Sequence, residues 1–186
     1  MSIENIKSKD STDASIIRGA ANVDSIDLHG HYVVKCYDAD GNLKWVDEID
    51  NLVTTEGKND ILDKYLEGSS YTAAHYIGLI DNDSFSAISA GDTAASHSGW
   101  VEYTNYAEST RQQPSFSAAS SGTKATSAAV SFTASGAGGT VTGSFLSTNS
   151  TKGTTLGVLF SAGQFTGGNK TLASGDIINV TYTASA

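Results

Sequence analysis

From residue 26 to residue 186, apolar side chains recur mainly at every second position, in short runs separated by glycine-rich clusters. A period of 2 puts the apolar residues of a run on one side of an extended chain, so such a chain must pair strands and stack sheets to bury them. Ile26, Leu28, Tyr32, Val34 and Cys36 share one face, with Asp27, His29, His31 and Lys35 on the other. Asp38-Ala39-Asp40-Gly41-Asn42 then reads as a tight hairpin turn, because Asp-Gly tolerates positive φ. Leu43 to Ile49 returns, with Leu43, Trp45 and Ile49 on one side. Val130 and Phe132 share a face, as do Val141, Gly143 and Phe145; then Leu156, Val158 and Phe160; then Ile178, Val180 and Tyr182. Turn clusters at 135–139, 149–153, 166–169 and 174–176 separate them. Strands spaced this way predict an all-β fold, a jelly-roll-like antiparallel β-sandwich over residues 26–186.

One helix interrupts the strands, predicted at about 55–67. Thr54 or Thr55 caps its start, Ile61, Leu62, Tyr65 and Leu66 form one apolar stripe, Asp60 and Lys64 pair at i,i+4, and Gly68 ends it. Tyr76 to Ile80 and Trp100 to Tyr106 read as strands, while residues 81–99 form a long loop of small polar residues. A loop of that length in a compact domain is usually functional or shaped by a partner.

Residues 1–25 sustain neither a strand nor a helix period and read as an extended N-terminal arm. Its candidate partner-binding residues are Ile3, Ile6, Ile16, Ile17 and Arg18. Each isoleucine can plug a shallow groove on a neighbouring subunit for about 1.5–3 kcal/mol when fully buried, before ordering costs.

Composition narrows the function. Charged residues make up only 17% of the chain, with 19 glycines and one proline. The net charge of −9 is uneven: residues 1–100 carry 7 Lys and Arg against 17 Asp and Glu, whereas residues 101–186 are close to neutral. Nucleic acid is therefore not an expected partner, since phosphate binding needs a basic footprint. No apolar run approaches the roughly 20 residues that span a bilayer, and MSIENIKSKDSTDAS has no secretory apolar segment, so no membrane partner is expected either. The single cysteine, Cys36, lies on an apolar strand face and reads as a small core hydrophobe of a protein made in a reducing cytoplasm.

Catalytic and metal motifs are incomplete. Asp38-x-Asp40-x-Asn42 starts like a calcium loop but has Leu43 at its sixth position and Ile49 at its twelfth, where glycine and glutamate are needed. His29 and His31, with Asp27, share a strand face without further ligands at a metal spacing; His75 and His97 sit in unrelated contexts. Asp47, Glu48 and Asp50 read as a solvated corner more than as an acid–base pair. No nucleophile elbow or phosphate loop occurs. The expectation is a non-enzyme with no metal and no cofactor. Trp45, Trp100, Tyr103 and Tyr106 are core or interface anchors, or alternatively a glycan platform.

Several segments carry a family likeness: CYDADGNLKWVDEIDNLVTTEGKNDILDKYL, YIGLI, GDTAASHSGWVEYTNYAESTRQQPSF, GTVTGSFL and LFSAGQFTGGNKTLASGDIINVTYT. Over roughly residues 30–186 the chain resembles a group of small virion structural proteins of tailed bacteriophages. The resemblance implies a sandwich that attaches to an assembled shell: a capsid cement (decoration) protein on the outer capsid surface of the virion, made in the host bacterial cytoplasm. Its implied partners are the major capsid protein and further copies of itself, a homo-oligomer with a trimer ahead of a dimer. The alternative is a tail or fibre-associated virion protein that binds a host-surface receptor or glycan. No site residue is transferred by the resemblance.

Overall fold

Every strand among the described residues pairs antiparallel, and one strand belongs to both layers of the fold. The computed structural model describes residues 27–66 and 74–186. The arm at 1–25, with Ile3, Ile6, Ile16, Ile17 and Arg18, lies outside the described residues, as does Gly68.

Strand β1 (His29–Tyr37) turns through Gly41, at φ +86°, into β2 (Leu43–Val53). Asp38 fixes this turn by accepting the amides of Asp40 (3.0 Å) and Asn42 (2.8 Å), so it acts as a turn residue. Helix α1 (Thr55–Leu66) follows, then β3 (Tyr76–Asp81) and β4 (Glu102–Tyr103). The rest is β5 (Thr123–Ala125), β6 (Val130–Thr133), β7 (Gly139–Ser147), β8 (Leu159–Gln164), β9 (Lys170–Leu172) and β10 (Ile177–Ser185).

The pairing order is β4-β3-β7-β8-β2-β1-β10-β5, with β6 also on β10 and β9 on β7. β2 makes the corner: its residues up to Asn51 pair with β1, while Leu52 and Val53 pair with β8. The strand is four residues longer than the period predicted because it crosses from one sheet to the other. Tyr32, Val34, Ile49, Phe132 and Val180 of the first sheet meet Ile77, Leu79, Val141, Phe160 and Leu172 of the second in the main core. The protein is thus an antiparallel β-sandwich, with one helix among the described residues.

Three sequence expectations are corrected. Leu43 is exposed, because it sits at the hairpin mouth. Leu156 is exposed and precedes β8, which begins at Leu159. Val141 and Phe145 do not share a face: pairing with β3 skips Thr142, and this bulge turns Val141 into the main core and Phe145 to the other side. That other side is covered too. Phe145, Leu159, Ala162 and Ile80 form a second core with Ala94 and Trp100, against which Phe85 and Ile88 pack. The long loop at 82–100 therefore serves as a lid over the outer face of the second sheet, which is why Leu159 to Gly163 are buried without alternation.

Cys36 is fully buried in the main core, and burial pushes its thiol up to about 11. Burial thus both shields the sulfur and disfavours the reactive thiolate. Iodoacetamide is expected to leave the folded protein unmodified and to label it fully in urea. Equal labelling rates in the two conditions would disprove the burial.

Candidate functional site

The helix is held by its first turn. Thr54 caps it, accepting the Gly57 amide on Oγ1 (3.0 Å) and donating that hydroxyl to the carbonyls of Leu159 and Phe160. Glu56 Oε2 accepts the amides of Ala94 (2.9 Å) and Leu159 (2.7 Å), tying helix, lid loop and β8 at one point. Beyond that turn the predicted apolar stripe is not covered by the described residues: Ile61 is 39% exposed, Leu62 53%, Tyr65 76% and Leu66 74%.

A second polar constellation lies just past the end of the lid loop. Arg111 is buried, and its five N–H groups all have acceptors. Nε and Nη2 clamp Glu102 (3.0 and 2.8 Å), Nη1 reaches Ser147 Oγ (3.3 Å) and the Asn149 carbonyl (3.1 Å), and Nη2 also reaches the Thr154 carbonyl (3.1 Å). Glu102 accepts the Gly153 amide as well (2.6 Å), and the guanidinium lies 5.0 Å from the centre of the Phe145 ring. This ion pair lines a pocket of about 220 Å³ together with His97, Trp100, Val101 and residues 153–155. Trp100 donates its indole N–H to Asp92 (2.9 Å), and His97 stacks on it at 4.2 Å. His97 Nδ1 lies 3.0 Å from the Thr93 carbonyl, which can only accept, so Nδ1 is the donor. The charges that line this pocket therefore hold loops together.

Lys152 works in the same way. Its ammonium donates to the carbonyls of Thr104, Tyr106 and Glu108 (3.2, 2.8 and 2.7 Å) and sits 4.0 Å from the Tyr106 ring centre. Trp100, Tyr103 and Tyr106 are all buried and Trp45 packs edge-on against Phe165, so these four aromatics serve the core more than an exposed platform.

Asp47 corrects the reading of a solvated corner. Strand alternation sends Glu48 and Asp50 outward and Asp47 inward, where it is buried. It pairs with Lys170 (2.8 Å) and accepts Thr166 Oγ1 (2.9 Å) and the Gly167 amide (3.1 Å). Burial works to raise its pKa, but the bonds from Lys170, Gly167, Thr166 and Glu48 outweigh that and hold the carboxyl below its usual 3.8. A depressed folded pKa gives stability that is complete above 3.8 and is lost as pH falls through the folded value. Urea midpoints are expected to drop below pH 3.8, and Asp47→Asn should flatten that acid limb. An unchanged limb in the variant would rule Asp47 out as its source.

On the outer face, His29 meets Asp27 (3.1 Å), and His31 meets Asp50 (3.0 Å) and Glu48 (3.8 Å). Among the described residues, no group of three or more His, Cys, Asp or Glu is arranged to hold a metal ion.

No curated protein matches the chain. A family model described as "Podophage GP4 fiber I protein gp80" matches residues 52–185, well over half the sequence. The match takes in the helix, the lid loop, the Arg111–Glu102 pair and every strand from β3 onward. The chain therefore belongs to the podophage GP4 fiber I protein gp80 family and is a structural protein of a bacteriophage virion.

Proposed function

We propose that the protein is a non-enzymatic, fibre-associated component of a podophage particle that presents a rigid sandwich to the host surface, where it contacts a receptor or glycan. The observation that carries this reading is the family match over residues 52–185, whose printed description is that of a fibre protein. It favours the tail or fibre reading over a capsid cement on the outer shell, and with it a fibre-anchoring virion protein over the major capsid protein as partner. The internal chemistry agrees with a scaffold, since the buried Arg111–Glu102 pair and the buried Asp47 with its partner Lys170 are all engaged in fastening loops and strands. A homo-oligomer, with a trimer ahead of a dimer, remains part of the proposal, because closed symmetric contacts repeat weak binding at little cost. Partners made of nucleic acid or membrane are not part of it.

Immunogold labelling of purified virions decides between the two positions. Label confined to fibres or the tail region, with few copies per particle in quantitative mass spectrometry, is the expected result. Label spread over the head, at hundreds of copies, would overturn the fibre assignment and restore the cement reading.

A further inference from the structure

The uncovered face of α1 has a groove at its foot, about 230 Å³ in volume and lined by Leu28, Lys58, Ile61 and Leu62. Leu28 is the second described residue, so the chain outside the structure ends at the wall of this groove. We propose that residues 21–26 of the same chain lie along α1 and cover this groove and the apolar stripe above it.

Four observations support that occupant. The first is continuity. Ile26 has the parity of Leu28, so one more extended step brings it to the same side as Leu28, against Ile61 and Leu62. The second is reach. An extended segment advances about 3.3 Å per residue, whereas a 12-residue helix is only about 18 Å long. Six or seven residues before Leu28 thus pass Leu62 and arrive at Leu66 and Tyr65. The third is content. Within that reach Ile26 supplies an apolar side chain of the parity of Leu28, and Asp24, of the same parity, supplies a carboxylate for Lys58 at the groove. The fourth is the poverty of the other nearby segment: residues 67–73, Glu-Gly-Ser-Ser-Tyr-Thr-Ala, offer one large side chain, Tyr71, against four exposed on the helix. Four large apolar residues on one stripe, next to the point where an isoleucine-bearing segment enters, are better matched to that segment than to solvent. This inference does not rest on the fibre assignment.

Amide hydrogen exchange on the full-length chain tests it. In the intact protein, amides of residues 58–66 are expected to be protected equally at high and low protein concentration. Deleting residues 2–26 should speed their exchange at least tenfold while β7 and β8 keep their protection. Leu62→Lys in the full-length chain should do the same, and it serves if the deletion proves unstable. Unchanged exchange in a folded deletion protein, or in Leu62→Lys, would overturn the proposal. Protection that vanishes on dilution would overturn it too, and would assign the groove to a second copy.

Discussion

Arg111→Met is expected to remove about 3–5 kcal/mol of folding stability, the usual cost of breaking a buried ion pair from one side. Against a total of roughly 5–15 kcal/mol, that loss is large enough to leave the domain marginal. The cost arises chiefly from what stays behind. Glu102 remains buried and charged with only the Gly153 amide facing it, and Ser147 Oγ and the carbonyls of Asn149 and Thr154 lose their donor. The 149–157 loop is then untied from the end of the lid. Lysine is a poor substitute, because an ammonium cannot hold both carboxylate oxygens and three further acceptors in one plane. Replacing both partners by apolar residues, Arg111→Met with Glu102→Leu, should recover much of the loss, since no uncompensated charge remains. Urea denaturation at pH 7 gives both numbers. A single variant within 1 kcal/mol of the parent would mean that water reaches this pair and that its burial has been misjudged.

The strands were legible because their cause is local. The Ile26–Cys36 alternation put Tyr32, Val34 and Cys36 into the core as read, Asp38–Asn42 made the hairpin, and Thr54 capped the helix. What the period could not tell is which faces are covered by something distant in the chain. Leu159 and Phe160 are neighbours that point into two different cores, and the second core exists only because residues 82–100 fold back over the sheet. That loop has no periodicity, so its covering role leaves no mark in the pattern. The stripe on α1 failed in the opposite way: the residues share a face as predicted, but the helix docks by its first turn and leaves that face open among the described residues. Asp47 was misread because three acidic residues in four positions look solvated until strand alternation separates them.

The near-neutral second half carried a signal that net charge concealed. It has seven charged residues, and each has a partner within the protein: Glu102 with Arg111, Glu108 with Thr133, Lys124 with the Ser117 carbonyl, Lys152 with three carbonyls, Lys170 with Asp47, and Asp176 with Lys44. Few charges, all engaged within the protein, fit a scaffold role for this half of the chain. The same economy would serve a capsid cement or a fibre, because both need rigidity without chemistry. Composition and periodicity could not separate those two, and it took the family match to favour one.

Gly57→Ala is expected to destabilise the protein, against the sign that helix propensity alone would give. In an exposed helix interior, replacing glycine by alanine gains about 0.8–1 kcal/mol. Here Gly57 is the third residue of α1 and faces β8, where an added Cβ would lie 2.8 Å from the Phe160 Cα and closer still to its carbonyl oxygen. Both are backbone atoms of a strand held from two sides, by Leu146 pairing with Ser161 and by Leu52 and Val53 pairing with Ala162 and Ser161. The strand has no room to retreat, so the helix must lift. Lifting it pulls Thr54 Oγ1 from the Leu159 and Phe160 carbonyls, and Glu56 from the amides of Leu159 and Ala94. Overpacking of this kind costs about 1–3 kcal/mol, and hydrogen bonds to a charged acceptor are worth about 1.5–3 kcal/mol each. A net loss of about 3 kcal/mol is therefore expected for Gly57→Val, with Gly57→Ala smaller but of the same sign. The lid loop should loosen with the helix, and faster amide exchange at residues 90–95 would report it. If Gly57→Ala instead raises the urea midpoint, α1 is not seated on β8, and the helix is held by something other than its first turn.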